Sequence, residues 1–418
     1  VKFTYDSILD PKVNSVRRSS YMINNVPISF VVVDPYTIRA VLPQTFAPFL
    51  VRMGMEILPK HILQGQDLNT TPFNRNPIGT GPFKFLNWRS AESVTLIRND
   101  DYYKGKPKLG KVVFRIIPDA NAELVALEAG EIDSAGIPPK DYTRMLGKKD
   151  INVFKFDTLS YTYLGFNNRS PKFRDRLIRQ AIAYGTNKDQ LVKLVFKGLA
   201  RPAYTPSSPS SWAYSDDVPK FSYNPKKAKK LIELAGYKMG TDGYYYKDGN
   251  KLEFTVMTNQ GNKEREKAAI IMKQQYKKIG VLMDIKILEW SSLLKIVNAP
   301  DDPKKFDAVL MAWSLAVDPD NSSIWHSREY PRGLNFIGYR NSKLDRLLDL
   351  GVTTMSREER KKIYALIDKI IAWDQPYVFL WYPKSVSGVR DRVGGLSDPG
   401  PLGGLFRDME KVFVVREM

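Results

Sequence analysis

The chain has 418 residues, 43% hydrophobic and 26% charged, which suits two or three globular domains and argues against a disordered chain. Lysine and arginine number 64 against 45 acidic residues, so the formal net charge is +19. Cysteine is absent and only two histidines occur, which excludes disulfides and Cys-based zinc sites and argues against His-rich metal centres. No apolar run approaches the roughly 18 residues of a membrane helix, so we predict no transmembrane segment.

The positive charge is distributed along the whole chain rather than concentrated in one segment. Its densest cluster falls on a predicted helix whose apolar positions face the other way, and consists of Lys226, Lys227, Lys229 and Lys230. The sequence has no zinc-finger pattern, no aromatic-rich RNA-binding strand motif and no basic arm. We therefore interpret the charge as a solvated, lysine-rich surface and expect no nucleic-acid partner.

Short strand and helix signals follow one another through the first 200 residues. Alternation at residues 26–41 predicts a hairpin, and Asp119 is placed as the N-cap of a helix. Residues 174–198 predict two helices divided near Gly185, with Thr186 as the N-cap of the second. Further strands are predicted at 83–88, 93–98, 112–117 and 159–166.

A segment rich in proline and serine, residues 200–222, interrupts these patterns and carries Trp212. Its composition predicts a long ordered surface loop or a crossing between domains. Asn224 and Pro225 then begin a helix, as N-cap and first helical residue.

Strands and helices alternate after residue 250. Strands are predicted at 251–257, 281–289 and 306–312, with a helix at 263–279 and a short helix before the third strand. This order is typical of a parallel sheet with right-handed crossovers, so the predicted fold class is α/β. Ser356 and Glu359 form a capping box for a further helix, which a strand at 377–382 follows.

The end of the strand predicted at 306–312 is the best place for a ligand, because open α/β sheets bind ligands beyond the carboxyl ends of their strands. This strand runs into Trp313, small residues and then the acidic Asp318. Trp313 would offer a flat apolar face, and the backbone after it would offer N–H and C=O groups to an extended ligand. In the alternative, Trp313 belongs to the core and residues 318–321 form an ordinary turn. The sequence leaves both open.

Enzyme templates are not completed. Gly79 and Gly81 belong to neither a phosphate loop nor a dinucleotide-binding fingerprint, and no Gly-x-Ser-x-Gly elbow is present. Acidic pairs are adjacent in sequence, as in Asp100 with Asp101, which suits turns rather than a two-carboxylate site. We predict no catalytic residue, no metal site and no cofactor.

Together, the motifs resemble the extracytoplasmic solute-binding proteins of the peptide/nickel class, which serve ABC importers. The segments that carry the resemblance run through essentially the whole chain: Asn76-Pro77-Ile78-Gly79-Thr80-Gly81-Pro82-Phe83, Arg98-Asn99-Asp100-Asp101-Tyr102-Tyr103, Ile117-Pro118-Asp119-Ala120-Asn121, Leu127-Glu128-Ala129-Gly130-Glu131-Ile132-Asp133, Phe166-Asn167-Asn168, Arg179-Gln180-Ala181-Ile182, residues 228–237, Trp313 to Asn321, Asn335 to Tyr339 and Asp374-Gln375-Pro376-Tyr377. Each is weak alone, and their order and spacing make the resemblance specific.

The resemblance implies a two-lobe periplasmic-binding-protein-like fold of type II, with an extra subdomain in the first lobe. Residues 1–75 would be part of that subdomain, 76–200 the α/β first lobe, 201–385 the α/β second lobe, and 386–418 a return to the first lobe. Residues 1–9 resemble a short helix of the subdomain, so a signal peptide and part of one lobe would precede Val1.

The resemblance also implies the ligand site. The stretch matching Met311, Ala312, Trp313, Ser314 and Leu315 lines the cleft of peptide-binding members, and its backbone pairs with the peptide like an added strand. Those members often place an Asp three residues after the Trp to hold the peptide amine, and this chain has Ala316 there. Asp318 would substitute, or the ligand lacks an amine.

Within this interpretation Trp313 would supply a stacking face and Met311 an adaptable apolar wall, with Ser314 and Asn335 as polar anchors. Trp212 would be a second apolar wall or a pin for its own loop. Asn167 would be a cleft residue or a turn former. His326, the only histidine in a plausible cleft loop, is slight support for nickel.

The function that follows is capture of a peptide between two lobes and delivery to the membrane permease of an ABC importer. The protein would be a monomer, free in the periplasm or lipid-anchored at the cell surface. An oligosaccharide or a nickel chelate is the alternative ligand. An α/β hydrolytic enzyme and a chaperone-like or adhesive surface protein are the other classes considered.

Overall fold

The computed structural model describes residues 1–15, 17–23, 25–400 and 404–415. The chain forms two compact units: unit 1 comprises Val1–Lys155 and Val386–Met418, and unit 2 comprises Phe156–Ser385. Residues 156–200, which the resemblance assigned to the first lobe, belong to unit 2. The units are defined by contacts and the lobes by resemblance, so the lobe divisions at residues 75, 200 and 385 stay a prediction.

The α-helices of the described residues are, in chain order, α1 (Lys2–Leu9), α2 (Phe49–Arg52), α3 (Lys60–Leu63), α4 (Ala120–Glu128), α5 (Tyr142–Leu146), α6 (Pro171–Arg174), α7 (Arg176–Gly185), α8 (Lys188–Phe196), α9 (Pro225–Leu234), α10 (Lys263–Lys278), α11 (Trp290–Asn298), α12 (Ser322–Trp325), α13 (Ser342–Thr353) and α14 (Arg357–Asp374). None of them is both long and apolar enough to cross a bilayer.

The strands of the described residues are β1 (Met22–Ile23), β2 (Val26–Pro27), β3 (Ser29–Asp34), β4 (Thr37–Val41), β5 (Phe83–Arg89), β6 (Ser93–Arg98), β7 (Lys111–Arg115), β8 (Ser134–Gly136), β9 (Ile151–Asp157), β10 (Ser160–Phe166), β11 (Ala200–Pro202), β12 (Lys238–Met239), β13 (Tyr245–Lys247), β14 (Asn250–Lys251), β15 (Glu253–Asn259), β16 (Leu282–Leu288), β17 (Ala308–Ser314), β18 (Tyr377–Arg390), β19 (Val393–Gly394) and β20 (Phe413–Val414).

Unit 1 contains small antiparallel sheets. The predicted hairpin at residues 26–41 forms as β3 paired with β4, and the strands predicted at 83–117 form the antiparallel sheet β5-β6-β7. The Asp119 carboxylate accepts from two backbone amides of α4, which confirms it as the N-cap.

Unit 2 is built around a mixed sheet in the order β11-β18-β10-β17-β15-β16. β15 is parallel to β16 and to β17, which confirms the parallel sheet predicted after residue 250. β10, however, is antiparallel to both of its neighbours, β17 and β18. The parallel strands need helical crossovers, whereas β10 reaches the sheet from a distant part of the chain, so sequence order did not indicate its position.

Side-chain caps fix the helix boundaries in unit 2. The Asn224 side chain accepts from the Lys227 amide at 2.9 Å, and the Ser356 hydroxyl accepts from the Glu359 amide at 3.3 Å, both as predicted. The third predicted cap is wrong. Thr186 lies at the C-terminal end of α7. The N-cap of α8 is Asn187, whose side-chain oxygen accepts a hydrogen bond from the backbone N–H of Gln190 at 2.9 Å.

The strand predicted at 306–312 lies two residues further along, at Ala308–Ser314. The cause is tertiary, because β10 pairs with it as far as Ser314 and holds this stretch extended. Trp313 and Ser314 are therefore strand residues and not the beginning of a loop.

One large apolar cluster fills the space between one face of this sheet and α11 to α14. Its aromatic members from the sheet include Tyr161, Tyr163, Tyr377 and Phe379, all fully buried. A separate small cluster around Val389 and Leu405 belongs to unit 1. The core of unit 2 thus lies directly under the strand that carries the predicted ligand site.

Candidate functional site

The structure leaves one edge of β17 open toward its carboxyl end. On one side β17 pairs with β10 along its whole length. On the other side its pairing with β15 stops at Val309, and the Thr258 hydroxyl donates to the Leu310 carbonyl oxygen at 2.9 Å. In the part of the chain that the structure describes, no strand pairs with residues 311–314 on that side.

The backbone groups on the open edge follow from the ladder geometry. The Leu315 amide donates to the Leu159 carbonyl oxygen at 2.7 Å, which identifies a hydrogen-bonded pair of the antiparallel ladder. Such pairs recur every second residue, so the odd-numbered residues of β17 direct their backbone groups to β10. Ala312 and Ser314 consequently direct their N–H and C=O groups to the open side. These donors and acceptors alternate as the backbone of an added strand requires.

Trp313 is fixed beside this edge by an aromatic stack. Its indole N–H donates to the Tyr377 hydroxyl at 3.4 Å. Its ring plane is within 9° of that of Tyr163 at a centroid separation of 6.3 Å, and the Tyr163 and Tyr377 rings stack at 3.9 Å. The Trp313 side chain remains partly exposed. It therefore presents a rigid aromatic face rather than filling the core completely.

The other members of this stretch differ in exposure. Ser314 is exposed, and Ala312 and Leu315 are half-buried. Met311 is only 5% exposed and belongs to the apolar cluster. It lies beneath the edge as part of its support, and a ligand contact by Met311 stays a prediction.

Asp318 is engaged by a buried arginine. Its two carboxylate oxygens accept from the two terminal nitrogens of Arg360 at 2.8 and 2.7 Å. The Arg360 side chain is 6% exposed and that of Asp318 is 9% exposed. A carboxylate bound in this bidentate manner is already neutralised, so its geometry does not suit the capture of a ligand amine.

The two predicted asparagines brace loops. Asn335 is fully buried, and its side chain bonds both the amide and the carbonyl of Tyr339. The Asn167 side chain donates to the carbonyl oxygens of Lys304 and Phe306, both at 2.9 Å. Their amide hydrogens are used within the fold, and ligand binding by either residue stays a prediction.

Trp212 packs against α14. The guanidinium carbons of Arg357 and Arg360 lie 4.8 and 5.4 Å from its ring centroid. Arg360 therefore contacts both Trp212 and Asp318, which lie more than a hundred residues apart in the sequence. This contact favours the interpretation of Trp212 as a pin for its own loop.

Arg265, in the first turn of α10, was missed by the sequence analysis. Its guanidinium donates to the Asn259 side-chain oxygen at 2.7 Å, and no carboxylate of the described residues lies within ion-pair distance. Desolvation lowers the pKa of Arg265, and its charge acts on Tyr163, which pairs with Met311 in the ladder. The signal available in the sequence was its place, directly after the carboxyl end of a parallel strand.

His326 makes its interactions within the fold. Its Nδ1 accepts from the Arg328 amide at 3.2 Å, and its Nε2 lies 3.2 Å from an Arg328 guanidinium nitrogen. Among the described residues, no group of three or more metal-binding side chains is assembled. The histidine thus gives no added support to a nickel ligand.

The chain is similar in sequence to a known protein family and to characterised proteins. The family model described as "Bacterial extracellular solute-binding proteins, family 5 Middle" matches residues 1–333. The chain is 41% identical over 346 residues to the oligopeptide-binding protein AppA of Bacillus subtilis (strain 168), an alignment that covers 81% of this chain and 63% of that protein. The chain therefore spans less than two thirds of the length of this relative.

Two solved structures share the fold. That of AppA from Bacillus subtilis in complex with a nonapeptide is 36% identical with a TM-score of 0.88, and the match covers 99% of this chain and 83% of that one. That of NikZ from Campylobacter jejuni in complex with Ni(L-His) is 28% identical with a TM-score of 0.88, and the match covers 98% and 83%. The predicted resemblance and the predicted α/β binding-protein fold class of type II are confirmed.

Proposed function

The chain belongs to the bacterial extracellular solute-binding proteins of family 5, and from this premise we propose that it captures an extended peptide and delivers it to the membrane permease of an ABC importer. The proposal puts the protein outside the cytoplasm, free in the periplasm or lipid-anchored at the cell surface. It assigns no bond chemistry to the chain, because an imported ligand is released unchanged.

The open edge of β17 is the observation that carries the proposal. Ala312 and Ser314 together offer two N–H donors and two C=O acceptors in the alternation that a peptide strand completes. Backbone pairing recognises any peptide sequence, whereas an oligosaccharide has no alternating amide groups to offer. Trp313 would add an apolar face for one ligand side chain.

Arg265 would set the charge of the ligand near this edge. It is a cation without a carboxylate partner among the described residues, so a ligand carboxylate would gain a charge-assisted hydrogen bond from it. Asp318, by contrast, is satisfied by Arg360. We therefore propose that unit 2 binds the peptide backbone and a carboxylate, and that Asp318 does not hold the peptide amine.

Ligand specificity would be tested by thermal melting and calorimetry of the full-length protein. The panel would contain a nonapeptide, the same peptide N-methylated at alternate residues, its C-terminal amide, a cello-oligosaccharide and nickel with L-histidine. A ligand at 100 times its dissociation constant adds about 2.7 kcal/mol of stability. We expect the nonapeptide to raise the melting temperature, and N-methylation in one of the two alternating registers to remove most of that rise.

A shift with the saccharide or the nickel chelate, and none with peptides, would contradict the peptide proposal. Chromatography of the nonapeptide after prolonged incubation tests the absence of chemistry, and any cleavage product would contradict it. Delivery would be tested with the permease in vesicles, where we expect peptide-dependent stimulation of ATP hydrolysis.

A further inference from the structure

An irregular segment, residues 203–213, runs through the interior of unit 2, and we call it the strap. Within it Ala203, Thr205 and Ser208 are at most 1% exposed. Irregular backbone usually lies at the surface, because its N–H and C=O groups need partners. For Thr205 both partners come from Tyr382, whose hydroxyl donates to the carbonyl at 2.8 Å and accepts from the amide at 3.3 Å.

A buried lysine holds one end of the strap. Lys188, the first residue of α8, is 4% exposed, and its ammonium donates to the Ala203 carbonyl oxygen at 2.7 Å. It also lies 4.1 Å from the centroid of the Tyr204 ring. Among the described residues it has no ion-pair partner, and a positive charge at the start of a helix opposes the helix dipole. The charged form of Lys188 is therefore poorly stabilised.

A buried carboxyl group holds the strap a few residues further on. Asp368, in the middle of α14, is 1% exposed, and its Oδ1 accepts from the Ser207 hydroxyl at 3.0 Å. Its Oδ2 has no hydrogen-bond partner among the described residues, and no cation pairs with it there. The charged form of Asp368 is poorly stabilised as well.

Burial shifts both groups toward their neutral forms. It lowers the pKa of Lys188 to about 7 and raises the pKa of Asp368 to about 7. Opening of the strap would hydrate both groups and restore ordinary values, near 10.5 for lysine and 3.8 for aspartate.

The sign of the pH effect follows from proton binding in the two states. Between the ordinary carboxyl pKa and about pH 7, the closed strap keeps a proton on Asp368 that the open strap releases, so opening becomes easier as the pH rises. Above about pH 7, the open strap keeps a proton on Lys188 that the closed strap lacks, so opening becomes harder again.

We propose that the strap is a pH-responsive element of unit 2, which Lys188 and Asp368 hold least tightly near neutral pH and more tightly on either side. The proposal concerns a local opening and does not depend on the proposed function.

Other titratable groups do not supply this behaviour. The titratable neighbours of Asp368 are Tyr161, Tyr214 and Tyr382. Those of Lys188 are Asp189 and Tyr204. Tyr204 in turn interacts electrostatically with Asp216 and Lys220. Burial raises the pKa of each of these tyrosines above its ordinary value, so they stay neutral between pH 5 and 9. Asp216 and Lys220 form an ion pair with each other at 2.6 Å, and the hydrogen bond from Lys220 lowers the pKa of Asp216. Asp189 is exposed to solvent.

Strap opening would also move an aromatic side chain. Trp212 belongs to the strap, and its ring contacts the guanidinium of Arg360, which binds Asp318 after β17. The environment of Trp212 is therefore expected to change with strap opening.

Hydrogen exchange of the full-length protein between pH 5 and 9, corrected for intrinsic rates, tests the proposal. We expect protection of the strap amides to pass through a minimum near pH 7, with the opening equilibrium changing by up to about tenfold per pH unit on either side. Strand β15, in the same unit, is the reference segment. A flat or monotonic profile for the strap would overturn the proposal, and so would an equal minimum in β15, because the charges would then act on the whole unit.

Two variants test the contributions of Asp368 and Lys188 to the pH dependence of protection separately, one with an isosteric replacement and one with an apolar replacement. D368N should flatten it below pH 7 only, and K188M should flatten it above pH 7 only. The matched controls are E358Q and K193M, exposed residues of the same two helices, and these should leave the minimum unchanged. A minimum that persists in both D368N and K188M would overturn the assignment. If a variant does not fold, the pH dependence of hydrogen exchange in the wild-type protein still tests the proposal.

Discussion

The buried pair of Asp318 and Arg360 provides a quantitative test of the structural role that we assign to Asp318. Both side chains are less than a tenth exposed, and two parallel hydrogen bonds of 2.8 and 2.7 Å join them. Replacing Asp318 by Ala leaves a desolvated guanidinium that retains only weaker partners, such as the Gly351 carbonyl oxygen at 2.9 Å. Loss of one partner of a buried pair costs about 3–5 kcal/mol. D318A should therefore lower the free energy of unfolding of unit 2 by this amount.

Urea denaturation followed by circular dichroism measures the effect. With a slope of about 3 kcal/mol/M, D318A should lower the midpoint by about 1 M or more. R360M should have a similar effect, and the double variant D318A/R360M should cost clearly less than the sum, because neither charge then remains buried alone. Additive costs would refute the pairing argument. A large loss of peptide affinity in D318N, with stability preserved, would refute the conclusion that Asp318 does not hold the ligand.

Three further predictions concern the site and its support. W313A should abolish the rise in melting temperature caused by the nonapeptide with little loss of fold. The control W373A, which replaces a half-exposed tryptophan, should leave that rise unchanged. An unchanged peptide affinity in W313A would show that Trp313 is not part of the site. R265Q should weaken binding of a peptide with a free carboxylate by about tenfold to a hundredfold, and binding of its amide much less, since a charge-assisted bond contributes about 1.5–3 kcal/mol. Equal losses for both peptides would contradict the role of Arg265. G165A should destabilise unit 2 by about 1–3 kcal/mol, because the new methyl group would lie 2.8 Å from the Tyr377 ring; chemical denaturation with an unchanged midpoint would contradict this.

Local chemistry made several parts of the fold predictable from the sequence. Asn224 before Pro225, and Ser356 before Glu359, gave correct helix starts because a cap depends only on residues within one turn. Thr186 and Asn187 are adjacent residues that can both cap a helix, and the prediction of Thr186 as the N-cap of α8 was wrong. The Thr186 hydroxyl bonds the Ile182 carbonyl oxygen and the Tyr276 hydroxyl, and the second contact comes from a distant helix.

The candidate site was predictable in place but not in detail. The change from an apolar strand to Trp313 and acidic residues located it, as the α/β rule for strand ends requires. The backbone groups that face the open edge depend on the pairing of β17 with β10, which lies far away in sequence. The partner of Asp318 is 42 residues away on α14. Arg265 is distinguished by being half-buried without a carboxylate partner among the described residues.

The sequence by itself therefore determined many of the helices and strands, the α/β class, the family resemblance and the stretch around Trp313. Those properties arise from side-chain periodicity and from contacts within a turn, which are encoded locally. The tertiary structure alone decided which edge of β17 stays open, that Asp318 is neutralised by Arg360, and that Lys188 and Asp368 are buried with no ion-pair partner among the described residues. Hydrogen-bond partners and desolvation are set by residues far apart in the chain, so only the assembled fold fixes them.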